Sequence, residues 1–243
     1  MTVRRVDRRA LVGCCAAIVL FAALTLSQSG LQQDDPYHLA LAELVAKGEL
    51  PSQLPWAKHT TLAARFGDLH FGYHVYLAAF VKLFGAPLGG KVGAIVAVAV
   101  LLCAIVGAVG RENRWRAVLP TVALVSSGAF LLRVMGMRPI AFGAVAILAV
   151  IPLASKGRHA LLALVGAVFA LSYSAFPLLL LPLVAYGVAR AITARELAWR
   201  PWASVLAGVM VGLLLHPHAR NHLDVLAVQL FDVSTDRSGY NLE

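Results

Sequence analysis

The sequence predicts an all-α, polytopic membrane protein, and three observations carry that prediction. The 243 residues are 60% hydrophobic and 14% charged, where a soluble domain is roughly 45–50% apolar and about 25% charged. The mean hydropathy is +0.77, and the apolar excess runs along the whole chain rather than gathering in one core. The cations behind the net charge of +9 stand between apolar runs: Arg4, Arg5, Arg8 and Arg9; Arg111, Arg114 and Arg116; Lys156 and Arg158; Arg190, Arg195 and Arg200. Topology determinants and snorkelling anchors are distributed in this way. At roughly 20 residues per span, the apolar content suffices for about seven helices. This composition excludes a soluble enzyme, a disordered chain and a nucleic-acid-binding domain, which needs a contiguous solvated basic face. Cys14, Cys15 and Cys103 all lie in apolar runs, so they are not a disulfide framework.

The elements follow in order. Residues 1–27 hold a basic N-terminus and an apolar run over 10–26. That run is long for a signal-peptide core, and Ser27-Gln28-Ser29 is a poor cleavage site, so the reading is an uncleaved first helix. Its N-terminus is expected in the cytoplasm, in a cell (inner) membrane. Residues 28–70 form the longest polar stretch, an external loop expected to carry short amphipathic helices. Asp35 stands at the expected N-cap and Pro36 at the first helical position of a helix over 36–47. Leu39, Ala42, Leu44 and Val45 supply its apolar face, Gly48 stops it, and Pro51 and Pro55 keep the chain extended. A second short helix is expected from about Thr60. Long loops with their own helices usually serve a function.

Residues 71–216 form the helix bundle, with apolar runs at 71–84, 92–109, 117–132, 140–153, 160–171, 175–189 and 203–215. With the first run these make eight candidate spans. Ser172-Tyr173-Ser174 and Pro177 break the 160–189 stretch into two short helices or one kinked one. Residues 217–243 read as a polar tail. The basic loops should share the cytoplasmic side with the N-terminus. Three spans before Arg111 would put that loop outside, so either the 71–84 run does not fully cross or the charge rule is broken.

Chemistry-bearing residues concentrate in Asp34-Asp35-Pro36-Tyr37-His38-Leu39. Adjacent carboxylates suit a divalent cation, Mg²⁺ or Mn²⁺, which neutralises a phosphate leaving group. One of them suits equally the orientation or deprotonation of an acceptor hydroxyl, and both suit a helix N-terminus. Arg133 and Arg138, around Met135-Gly136-Met137, suit a lipid phosphate by bidentate hydrogen bonding, or an interfacial anchor. His216, His218 and His222 have a spacing that ligates transition metals, although Pro217 interrupts it. His70 and His74 read as helix-end residues.

A transmembrane helix followed by Asp34-Asp35-Pro36-Tyr37-His38-Leu39 resembles the GT-C superfamily of membrane glycosyltransferases, which includes oligosaccharyltransferase catalytic subunits and protein mannosyltransferases. The stretch from Gly72-Tyr73-His74 to Leu83-Phe84-Gly85 is similar to that family's second transmembrane segment. His216-Pro217-His218-Ala219-Arg220-Asn221-His222 is similar to an Asn-Pro-Tyr segment after a late helix of bacterial members. The resemblance implies a GT-C-type bundle with an external active site at the membrane surface. Asp34 and Asp35, Asp35 foremost, would be its catalytic or metal-binding acids, and Tyr37 and His38 would line the same cavity. The implied donor is a sugar on a polyprenyl phosphate, held by Arg133 or Arg138. Family members are longer, so the resemblance implies the transmembrane core, completed by a C-terminal part or a second subunit. A non-catalytic subunit that binds lipid-linked saccharide is the first alternative. A transporter or flippase ranks below it, because few ionisable residues interrupt the apolar runs and no repeat is visible.

Overall fold

The computed structural model describes residues 7–32, 34–54, 63–108, 114–228 and 231. Among the described residues every regular element is helical: α1 (Arg8–Ser27), α2 (Asp35–Ala46), α3 (Phe71–Phe84), α4 (Ala86–Ala108), α5 (Leu119–Val125), α6 (Gly128–Met135), α7 (Ile140–Ser155), α8 (His159–Ser172), α9 (Leu180–Ala194), α10 (Trp199–Leu214) and α11 (Ala219–Ala227). Short 3-10 turns at Arg114–Ala117 and Phe176–Leu179 lead into α5 and α9. The expected helix at Thr60 lies outside the described residues, as do Pro55 and Arg111.

Local chemistry sets the boundaries. The Asp7 carboxylate caps α1 by accepting the Arg9 and Ala10 N–H groups, both at 3.2 Å. The C-terminal carbonyl of α1, at Gln28, accepts from Lys91 Nζ at 2.5 Å. Gly85, at φ +78°, makes the one-residue joint between α3 and α4, a conformation that only glycine adopts without cost. The run at 117–132 is divided at Ser126-Ser127, where the Ser127 hydroxyl accepts from the Phe130 N–H at 3.3 Å and starts α6. The 160–189 stretch resolves into two helices joined through Phe176–Leu179. The expected polar tail begins instead with α11, which packs back on the bundle.

Three helices are long and apolar enough to cross a membrane, Arg8–Ser27, Ala86–Ala108 and Phe176–Ala194; counting each of two bent pairs as one span gives five. The outer surface is apolar too: Val19, Leu164, Ile192 and Leu214 are each more than half exposed. A soluble monomer does not expose apolar surface on this scale, and the fold is consistent with a multi-pass membrane protein.

The packing shows where the 71–84 run sits. Cys14 lies beside Cys103, and Gln28 beside Lys91, so α1 and α4 run antiparallel and α4 starts at the end where α1 finishes. α3 joins α4 through Gly85 at that same end. With 14 residues, α3 is about 21 Å long, short of a hydrocarbon core of about 30 Å; α8, also of 14 residues, is equally short. The segment after α4 returns to the N-terminal end, where Gly13 lies against the Ala117 carbonyl. α5 and α6 together then run back to the opposite end. α7, α8, α9 and α10 then follow in alternating directions. The basic loops at 156–158 and 190–200 fall at the N-terminal end with Ala117, as the charge rule requires.

Two cores hold the bundle. Phe21, Val98, Leu101, Leu102 and Leu124 close the α1–α4–α5 half. Leu162, Phe169, Leu183 and Val205 close the α7–α10 half. α8 and α10 run parallel in close contact, with Gly208 against Ala163, Gly212 against Ala167 and Gly166 against Val205. Small residues four apart let two backbones approach in this way, and in lipid that packing is the main attraction between helices.

The α1–α4 pairing makes a direct prediction. The Cys14 and Cys103 sulfurs lie 3.8 Å apart. In a Cys15→Ser chain with a protease site inserted near Glu49, iodine oxidation should leave the cleaved halves joined on a non-reducing gel. Complete separation of the halves would refute the antiparallel pairing.

Candidate functional site

The site lies at the end of the bundle opposite the N-terminus. α2 lies across α3 and buries Leu39 and Ala42 against Tyr73, Leu77, Val81 and Met137. Leu41, outside the expected apolar face, is buried on the other side with Leu54 and Phe66. α2 is thus covered from two directions, and Leu44 and Val45 are only half-buried.

The acidic motif opens α2, shifted by one residue from expectation. Asp34 is the N-cap and makes no side-chain cap bond; Asp35 is the first helical residue, and Pro36 follows it. Asp35 is buried. Its two oxygens accept the Gln32 N–H at 2.8 Å and the Met137 N–H at 2.7 Å. These charge-assisted bonds, each worth about 1.5–3 kcal/mol, pin the loop to the turn between α6 and α7. The Asp34 carboxylate instead meets Arg138 Nη2 at 2.6 Å, with 45% of the Asp34 side chain exposed. A pair this open contributes about 0–1 kcal/mol. Arg138 therefore joins the acidic motif in space, while Arg133 is exposed on the last turn of α6.

A divalent metal does not suit this arrangement. Both Asp35 oxygens accept backbone N–H groups, and a guanidinium faces Asp34. Among the described residues no group of three or more His, Cys, Asp or Glu side chains is placed to hold a metal ion.

Behind the motif, Asp68 Oδ2 meets His74 Nδ1 at 2.6 Å, and His74 Nε2 meets His38 Nδ1 at 2.8 Å. All three side chains are buried. The other Asp68 oxygen accepts the His70 backbone N–H at 2.9 Å. Burial alone would raise the Asp68 carboxyl, but His74 and these hydrogen bonds outweigh it and hold the group below its ordinary value. Burial, reinforced by His74, His70 and Arg138, lowers His38 to about 2. Burial, reinforced by His74 and partly offset by Asp68, lowers His70 to about 4. Both rings are neutral at pH 7. Tyr37 rests edge-on to His38 and His74, at 5.2 and 5.7 Å between centroids. Burial, and then the Asp68 charge, keeps its phenol protonated.

The His-Pro-His segment fastens the loop. His216 Nε2 donates to the Asp68 carbonyl at 3.0 Å, and His218 Nε2 donates to the Leu50 carbonyl at 3.1 Å. Asn221 Nδ2 donates to the Phe66 carbonyl at 3.2 Å. His222 stacks on His216 at 4.4 Å, so His218 and His222 face different partners.

Sequence reasoning missed Asp68 and gave His74 no functional role. A local signal existed, since Asp68-x-His70-x3-His74 places an acid just ahead of two histidines on one helix face. The link to His38 had no such signal. Comparison with known proteins returns no matching family model, no matching curated relative and no matching solved structure.

Proposed function

We propose that this chain is the transmembrane core of a glycosyltransferase that moves a sugar from a polyprenyl-phosphate-linked donor to an acceptor hydroxyl at the external membrane face. The observation that carries the reading is the Asp34–Arg138 pair, which unites the acidic motif and a phosphate-binding candidate in one site. Arg138 takes the donor phosphate, for which a guanidinium has the right fork of donors. Asp34 orients that guanidinium and the acceptor, and its exposure favours it over Asp35 for this work. Asp35 keeps the loop in register with the α6–α7 turn. Tyr37 packs edge-on behind these acids against His38 and His74.

An apolar cavity of about 330 Å³ between α4, α7 and α8, lined by Tyr76, Val100, Phe142, Val145 and Val168 among others, supports a prenyl donor. One aromatic layer separates it from the site: Tyr73 contacts Phe142 at 5.5 Å and His38 at 5.6 Å between centroids.

The test uses the full chain in liposomes containing polyprenyl-phosphate-linked radiolabelled hexoses and an extract of acceptor glycans. Wild type should transfer label. Arg138→Gln should lose about 10- to 100-fold in kcat/KM, mostly through the donor KM, as expected for one charged hydrogen-bonding group. Arg138→Lys should recover part of it. Donor binding without transfer would make the chain a saccharide-binding subunit and remove the enzymatic reading.

A further inference from the structure

We propose that Asp68, His74 and His38 form a proton relay whose outer end, His38 Nε2, takes the proton of the acceptor hydroxyl. The identity of the hydroxyl rests on the glycosyl-transfer reading; the relay itself rests on the hydrogen-bond chain.

The relay assigns one direction to these contacts, in which each ring carries a single proton. An ionised carboxylate only accepts, so the 2.6 Å contact requires His74 Nδ1–H to donate to Asp68. In the resting state of the relay His74 Nε2 carries no proton and accepts, and in the 2.8 Å contact His38 Nδ1–H donates to it. His38 Nε2 is left as a lone-pair acceptor, the form a general base needs. A third group that orients a base is the arrangement found in nucleophile–base–acid triads. Here a second imidazole lengthens the chain by one ring.

The acceptor oxygen bonds to the anomeric carbon while its proton passes to His38 Nε2. The Nδ1 proton of His38 passes to His74 Nε2. His74 becomes an imidazolium held against the Asp68 carboxylate. The bond between the anomeric carbon and the phosphate oxygen breaks, and its electron pair leaves with the polyprenyl phosphate on Arg138. The return of one proton from His38 Nε2 to solvent resets the chain.

Two features of the site favour transmission over storage on His38. The His38 ring is buried and stays neutral well below pH 7, so a positive charge is not retained there. His74 is the ring in contact with the carboxylate, and the backbone N–H of His70 fixes that carboxylate from the other side at 2.9 Å. His38 is thus the catalytic residue of the relay, and His74 and Asp68 are positioning residues.

The test has two arms on the full chain in liposomes. The first is ¹⁵N-histidine NMR of the resting protein. A scalar coupling should appear across His38 Nδ1–H···Nε2 of His74, with a low-field proton on His74 Nδ1 that moves upfield in Asp68→Asn. A missing coupling, or a neutral His74 carrying its proton on Nε2, overturns the relay. The second arm is sugar transfer. His38→Gln should lower kcat by about 100-fold or more with an unchanged thermal transition at neutral pH, and Asp68→Asn, which melts lower, should lower kcat per folded chain with the donor KM unchanged. An active His38→Gln chain with wild-type kcat overturns the relay while glycosyl transfer stands. A wild-type chain that transfers no sugar removes the glycosyl-transfer reading alone, and the two spectral results then decide the relay.

Discussion

Gly208→Leu is expected to separate α10 from α8 and to abolish the cooperative thermal transition of the chain. A Cβ at Gly208 would collide with the Ala163 carbonyl, and one at Gly212 with the Ala167 carbonyl. These are backbone atoms, and no rotamer change relieves the clash. Even Gly208→Ala should cost about 1–3 kcal/mol, the usual range for overpacking. The leucine forces the helices apart and takes with it the buried layer of Leu162, Phe169 and Val205. Because α10 leads into His216, which holds the Asp68 carbonyl, the damage should reach the site. The control is Gly107→Ala on α4, where an added Cβ meets nothing within 4 Å. Thermal unfolding in detergent, followed by helix loss, compares the variants. A Gly208→Leu chain that melts with wild type would refute the α8–α10 contact.

Acid should loosen the same end of the molecule below about pH 6.5. An open form exposes His38 and His70, whose ordinary value is 6.5, whereas the closed form holds them at about 2 and about 4. Between these limits the open form binds protons that the closed form refuses, so stability falls as pH falls. The histidine contribution is complete above pH 6.5. It is lost progressively on acidification, down to about pH 4 for His70 and further for His38. Asp68 is depressed below its ordinary value of 3.8, so its share is present above that value and is lost only in stronger acid. The window from pH 6.5 to 4 therefore belongs to the histidines. The melting temperature in detergent should decline steadily across it, and His38→Gln combined with His70→Gln should make the decline shallower, leaving the share of His216 and His222, which burial also lowers. A flat wild-type profile, or an equal slope in the double variant, would contradict the burial of neutral rings.

Some of the site was legible beforehand. Asp34 to His38 stood out because acids, a proline and a polar loop are conspicuous in an apolar chain, and α2 begins there. The role of each acid was not legible. Whether a carboxylate caps a helix, pairs with an arginine or pins a loop depends on what lies opposite, and Met137 and Arg138 lie about a hundred positions away. His38 and His74 are separated by 36 positions, and no pattern of period 3.6 links residues on different helices.

Composition by itself determined the class of fold. An apolar fraction of 60% leaves helices as the economical way to satisfy the backbone in lipid, and charge placement set which ends of the bundle lie together. Tertiary structure alone decided how the helices pair and the make-up of the site. Eight apolar runs yield three helices long and apolar enough to span, or five with the bent pairs, and α3 turns into α4 at Gly85 beside the end of α1. The reason is that hydropathy reports what each segment avoids, namely water. Its neighbours are chosen by close packing at Gly208 and Gly212 and by paired buried groups such as Asp68 and His74, and these interactions join residues remote in the chain.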